Sequence, residues 1–143
     1  MESAVQQVSP LPYRQPRIVI ADDFEMLRRG LKSLLGPAVC GEAENGEQAV
    51  ERVRELRPDI IILDWAMPVM DGLQAAQIIR SFAPEIKIIV FSLHDGDFAR
   101  DEALRAGADV FLHKTATGEE ILKAIEALIG TSPERSIPAT NAL

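Results

Sequence analysis

Two strongly apolar runs, Ile60–Leu63 and Ile86–Phe91, restrict this chain more than any other feature. A strand with one face in water alternates apolar and polar residues. A strand that is apolar at nearly every position is buried on both faces, which is the pattern of a parallel sheet covered by helices on each side. Both runs end abruptly on a polar residue. Asp64 follows the first and Ser92 the second.

Strand and helix patterns alternate along the rest of the chain. Arg17–Ala21 is a strand pattern. Phe24, Leu27, Leu31, Leu34 and Leu35 then recur at helical spacing until Gly36 and Pro37 stop them. A short strand, Val39–Glu42, follows. Asn45 can cap a helix carrying Ala49, Val50, Val53 and Leu56, which Pro58 ends. After Ile60–Leu63, Asp71 can cap a helix through Leu73, Ala76, Ile79 and Phe82, broken by Pro84. Ile86–Phe91 leads into a helix over 97–106, then a strand at Asp109–Leu112. Thr117 and Glu120 form a capping box for a last helix through Ile121, Leu122, Ile125, Leu128 and Ile129, with Gly130 as its stop.

Five βα units with right-handed crossovers imply a doubly wound α/β fold, (βα)5, around a five-stranded parallel sheet. Fold analogy supplies the flavodoxin-like strand order 2-1-3-4-5, with strands one and three side by side at the switch point. Residues 1–16 carry Pro10, Pro12 and Pro16 without periodicity and read as a flexible leader. Residues 17–130 form one domain. Residues 131–143, rich in Ser, Thr and Pro, read as a linker or disordered tail.

That strand order brings Asp22, Asp23 and Asp64 to one spot outside the carboxyl ends of the strands, where such sheets bind ligands. Two carboxylates about 4 Å apart repel by roughly 4 kcal/mol at an effective dielectric near 20. The cluster therefore calls for a hard cation, and Mg²⁺ is held by one or two carboxylates together with phosphate oxygens. Ser92 and Lys114 close strands four and five at the same edge. A metal, an ammonium and a hydroxyl clamp phosphoryl groups well, and a carboxylate can carry an aspartyl-phosphate.

These residues also carry a resemblance. The acidic pair Asp22-Asp23, the stretch Leu63–Gly72 around Asp64, Ser92 in Val90–Asp95 and Lys114 in Val110–Lys114 resemble the receiver domains of two-component response regulators. The likeness spans about residues 17–130. The segments Glu42–Val50 and Met70–Ala76 look most like the subfamily with LuxR-type helix-turn-helix output domains. The resemblance implies that Asp64 takes a phosphoryl group from a sensor histidine kinase. Asp22, Asp23, Asp64 and the backbone carbonyl of Ala66 would hold Mg²⁺. Ser92 and Lys114 would contact the phosphoryl oxygens, and Ser92 with Phe111 would form the switch that reshapes the surface of helix four, strand five and helix five. A homodimer formed on phosphorylation and a DNA-binding output domain outside this chain are further expectations. The chain would catalyse only its own phosphoryl transfer and dephosphorylation. Two departures stand out. Thr115 occupies a position where the family often has proline, and Ala66 offers no side chain beside the acceptor.

Other readings stay open or fall on single residues. Asp22 and Asp23 could cap the first helix, and Asp71 reads as a cap rather than a ligand. His94 and His113 read as partly exposed neighbours of the site. A phosphatase of the haloacid-dehalogenase class needs a second aspartate where Ala66 stands. In an FMN carrier, Asp22 and Asp23 would repel the phosphate. A P-loop is absent. A phosphorylation-independent docking module and a stand-alone receiver remain as alternatives. The formal net charge of -7 and the lack of a basic stripe argue against direct nucleic-acid binding. Cys40 is the only cysteine and reads as a small buried hydrophobe, which leaves no intramolecular disulfide. With no long apolar run and no signal peptide pattern, no membrane contact is expected and a cytoplasmic location is the default.

Overall fold

The computed structural model describes residues 15–130. Most of the leader assigned to residues 1–16 and the whole tail 131–143 lie outside the described residues. Strands β1 (Ile18–Ala21), β2 (Val39–Ala43), β3 (Ile60–Asp64), β4 (Lys87–Ser92) and β5 (Val110–His113) alternate with helices α1 (Glu25–Leu35), α2 (Gly46–Leu56), α3 (Gly72–Phe82), α4 (Asp97–Ala106) and α5 (Gly118–Ile129). The sheet is parallel throughout, in the order β2-β1-β3-β4-β5. The doubly wound, flavodoxin-like arrangement expected from the sequence is the one observed.

The apolar runs work as their composition requires. Period-two geometry sends alternate residues to opposite faces. Ile60 and Ile62 face Leu31, Leu35, Ile121 and Ile125 of α1 and α5. Ile61 and Leu63 face the residues of α2, α3 and α4, among them Val53, Ala76 and Ala103. Full burial of each such side chain is worth about 1.5–3 kcal/mol, so the two central strands anchor both layers.

The caps read from the sequence are present. The Asn45 side chain accepts from the Gln48 N–H, and Asp71 with Gln74 and Thr117 with Glu120 form reciprocal capping boxes. Several boundaries differ by a residue. β4 and β5 each run one residue further than expected, to Ser92 and His113, because their pairing continues to the sheet edge. β1 begins at Ile18, since the Arg17 N–H turns to the Asp59 carboxylate at 2.8 Å. α2 ends at Leu56, before Pro58, on Arg57 in the left-handed region. Gly130 closes α5 in ordinary right-handed geometry. Cys40 is half-buried rather than buried, because β2 is an edge strand. Among the described residues no helix is long and apolar enough to cross a membrane.

Candidate functional site

Register brings the acidic residues together. Ala21 pairs with Leu63, so the residues that follow, Asp22 and Asp64, emerge side by side. Asp22, Asp23 and Asp64 each offer a carboxylate oxygen, and these atoms lie within 4.8 Å of one another. Asp22 and Asp64 are buried, while Asp23 reaches solvent. The Lys114 ammonium enters the same cluster, 2.9 Å from Asp22 Oδ2 and 2.9 Å from Asp64 Oδ1. Asp22 does not cap α1. Its Oδ1 accepts from the Phe24 N–H at 2.9 Å, and α1 starts on Phe24 without a side-chain cap. Arg28 donates to the Asp22 backbone carbonyl at 2.8 Å and fixes the loop from behind.

Six of the residues named from the sequence, Asp22, Asp23, Asp64, Ala66, Ser92 and Lys114, line one open cleft of about 420 Å³. Ser92 is 1% exposed, and its Oγ accepts from the His94 N–H at 2.9 Å. Its own proton is therefore free for a further acceptor. Phe24, Leu93 and His94 form the rest of the wall. The His94 ring lies 5.0 Å from that of Trp65. Phe111 stands apart from the cleft. It is buried, edge-on to Trp65 at 6.4 Å between centroids, with the Arg100 guanidinium 5.8 Å over its ring.

Electrostatics single out Asp64. Burial pushes its carboxyl up from 3.8 to about 6, helped by the charges of Asp22 and Asp23 and opposed by Lys114. Burial disfavours the Lys114 ammonium, but its hydrogen bonds to Asp22 and Asp64 outweigh this and hold its pKa above the ordinary value. Three carboxylates around one ammonium leave negative charge in excess, and such a donor set suits a small hard cation.

A stability prediction follows for the metal-free chain. Between the unfolded value of 3.8 and the folded value of about 6, the folded state holds a proton that the unfolded state releases. That contribution is fully present below pH 4 and is lost as pH rises through about 6. Asp64→Asn removes the charge for good. In EDTA at pH 7.5 it is expected to stabilise the fold by about 3 kcal/mol, at about 1.4 kcal/mol per pKa unit. The gain should vanish near pH 4. Urea melts at both pH values check this, and a destabilised Asp64→Asn at pH 7.5 would contradict it.

Sequence reading missed two glycines and one turn. A Cβ on Gly72 would collide with the Asp64 carbonyl oxygen, and one on Gly46 with the Met70 carbonyl oxygen. Both glycines directly follow a cap residue, Asn45 and Asp71, but that position does not reveal the distant carbonyl each one meets. Between them, Val69 holds φ 71°, and the Met70 N–H donates to the Pro68 carbonyl at 2.7 Å. A β-branched residue in the left-handed region stores strain in the loop between β3 and α3.

The family model for the response regulator receiver domain matches residues 18–126. The chain is 41% identical over 112 residues to the nitrate/nitrite response regulator NarL of Escherichia coli K12, a match covering 76% of this chain and 52% of that protein. It is 38% identical to the chemotaxis protein CheY of Thermotoga maritima, covering 76% of this chain and 93% of that one. The NarL signal receiver domain of Mycobacterium tuberculosis superposes with a TM-score of 0.72 at 36% identity, over 78% of this chain and 93% of that chain. A LuxR-family response regulator of Aurantimonas gives 0.77 at 30% identity, over 91% and 90%. The chain spans about half the length of the NarL regulators it matches. With the fold, the strand-edge cluster and these likenesses in agreement, the chain belongs to the receiver domains of two-component response regulators, which are signalling modules.

Proposed function

We propose that Asp64 is the phosphoacceptor of a Mg²⁺-dependent switch. One observation carries the reading: Asp64 sits buried between two further carboxylates and a lysine, each on the carboxyl edge of the sheet, with Lys114 at 2.9 Å. An Asp64 carboxylate oxygen attacks the phosphorus of a phosphohistidine on a sensor histidine kinase. The phosphorus–nitrogen bond breaks, its electron pair returns to the imidazole nitrogen, and an acyl phosphate forms. Asp22, Asp23, Asp64 and the Ala66 carbonyl would hold Mg²⁺, which when bound supplies neutralising charge at the phosphoryl oxygens. Lys114 leaves its carboxylate partners for those oxygens, and the Ser92 hydroxyl donates its free proton to one of them.

The added charge of about -1.5 to -2 then draws Ser92 and its loop toward the acceptor. Phe111 already lies inward, so phosphorylation would hold that position and bias the α4, β5 and α5 surface. Likeness to the NarL transcriptional regulators supports a DNA-binding output domain and control of transcription, with this chain making no nucleic-acid contact itself. The reading includes a homodimer on phosphorylation, a cytoplasmic setting, and a receiver spanning 17–130 between a leader (1–16) and a linker (131–143).

Intact mass after incubation with acetyl phosphate tests it. A gain of one phosphoryl group is expected with Mg²⁺ and none in EDTA. A well-folded sample that gains nothing, even with a more reactive phosphoramidate donor, would favour a docking module that works without phosphorylation.

A further inference from the structure

We propose that His113 is a positioning residue for phosphoryl transfer. Its imidazole straps the loop that follows Ser92 to the loop that begins at Lys114, and so sets both groups relative to Asp64. The proposal rests on the reading of Ser92 and Lys114 given above.

His113 is the last residue of β5 and the strand partner of Ser92. Its Nε2 lies 2.9 Å from the Leu93 carbonyl oxygen, twenty residues away. Its Nδ1 lies 3.2 Å from the Thr115 backbone nitrogen and 2.8 Å from the Thr115 hydroxyl. A carbonyl oxygen only accepts and a backbone N–H only donates. These partners fit one tautomer, with the proton on Nε2 given to the Leu93 carbonyl and the Nδ1 lone pair receiving the Thr115 N–H.

Each bond lands on a peptide that matters. The Leu93 carbonyl and the His94 N–H belong to one planar unit. His113 holds the carbonyl end, while the N–H end donates to Ser92 Oγ at 2.9 Å. The strap thus orients the peptide that occupies one lone pair of the Ser92 hydroxyl and leaves its proton for the cleft. At the other end, the Thr115 N–H belongs to the peptide that begins at the Lys114 carbonyl. The Lys114 N–H in turn donates to the Ser92 carbonyl at 2.8 Å. One ring closes a circuit through both phosphoryl-binding residues.

The same geometry accounts for a departure noted in the sequence. A proline at 115 would have no N–H to give. Thr115 supplies both an N–H and a hydroxyl to the imidazole, so His113 and Thr115 form a matched pair.

Rates of phosphorylation by acetyl phosphate with Mg²⁺, in the full chain, test the strap. Misplacing reacting groups by about 1 Å can cost about 100-fold, and loosening a support should cost less. His113→Leu is expected to lower the rate at saturating donor by about tenfold, with the half-saturating donor concentration unchanged. His113→Gln keeps an amide donor for Leu93 and should recover to within about threefold of wild type. Thr115→Pro removes the N–H and should slow the reaction by about threefold, which covers the case in which His113→Leu does not fold. Faster amide exchange at His94 in His113→Leu, absent in His113→Gln, is the structural signature. Wild-type rates in His113→Leu, or a His113→Gln variant as slow as His113→Leu, would overturn the proposal. If wild type takes no phosphoryl group, the reading of Asp64 fails separately. The His94 exchange rates then decide the strap alone: faster exchange in His113→Leu supports it, and unchanged exchange overturns it.

Discussion

Replacing Gly72 with alanine is expected to destabilise the fold by about 3 kcal/mol, at the upper end of overpacking costs. Gly72 is the first residue of α3 and is buried, and its N–H donates to the Trp65 carbonyl at 2.7 Å. An added Cβ would collide with the Asp64 carbonyl oxygen and stand 2.9 Å from the Asp64 carbonyl carbon and 3.0 Å from Trp65 Cα. All three neighbours are backbone, so no side chain can swing aside. Either the start of α3 or the backbone of Asp64 must move. For a domain of this size the melting temperature should fall by roughly 10 °C. Phosphorylation by acetyl phosphate should slow by up to about 100-fold if Asp64 shifts by about 1 Å. Gly30→Ala is the control. Gly30 lies within α1, and a Cβ there meets nothing within 4 Å. That change should leave the site alone and raise helix stability by up to about 1 kcal/mol. Equal melting temperatures for Gly72→Ala and wild type would show that the approach of α3 to Asp64 is looser than the structure has it.

Lys114→Ala is expected to slow phosphoryl transfer by about 100- to 1,000-fold, the usual cost of losing one preorganised charge donor at a reacting group. Two causes act together. The first is the loss of the ammonium that would meet the transferred phosphoryl group. The second acts before any donor arrives. Lys114 is the group that holds the Asp64 pKa down against burial and against Asp22 and Asp23. Without it the carboxyl of Asp64 rises further, and near neutrality a larger share of it must lose its proton before Mg²⁺ and a phosphodonor can engage it. The two causes separate by pH. Raising the pH should restore part of the Lys114→Ala rate through the second cause and none through the first. A stopped-flow pH series on wild type and Lys114→Ala measures this. A variant within about threefold of wild type across the series would remove Lys114 from the reaction.

What could be read from the sequence was whatever depends on local pattern. The capping residues Asn45, Asp71 and Thr117 announce their helices because a cap is a short-range bond, and all three bonds are present. Asp64, Ser92 and Lys114 were legible because a polar residue ending an apolar run marks a strand end. Their convergence needed the strand order as well, and that came from analogy to a known fold rather than from periodicity. Close approaches between distant segments were invisible. Nothing near Gly46 announces that the Met70 carbonyl will lie against it. Likewise His113 and Leu93 are joined only because β4 and β5 are neighbours whose loops turn toward each other. Cys40 looked buried because its neighbours are apolar, yet a place on an edge strand is set by topology.

Asp64, rather than Asp22 or Asp23, is expected to receive the phosphoryl group. Borohydride reduces an acyl phosphate on aspartate to homoserine, and peptide mass mapping then shows where it was. After incubation with acetyl phosphate and Mg²⁺, homoserine is expected in place of Asp64 alone, with none formed in EDTA. Homoserine in place of Asp22 or Asp23, or the same yield with and without Mg²⁺, would contradict that assignment.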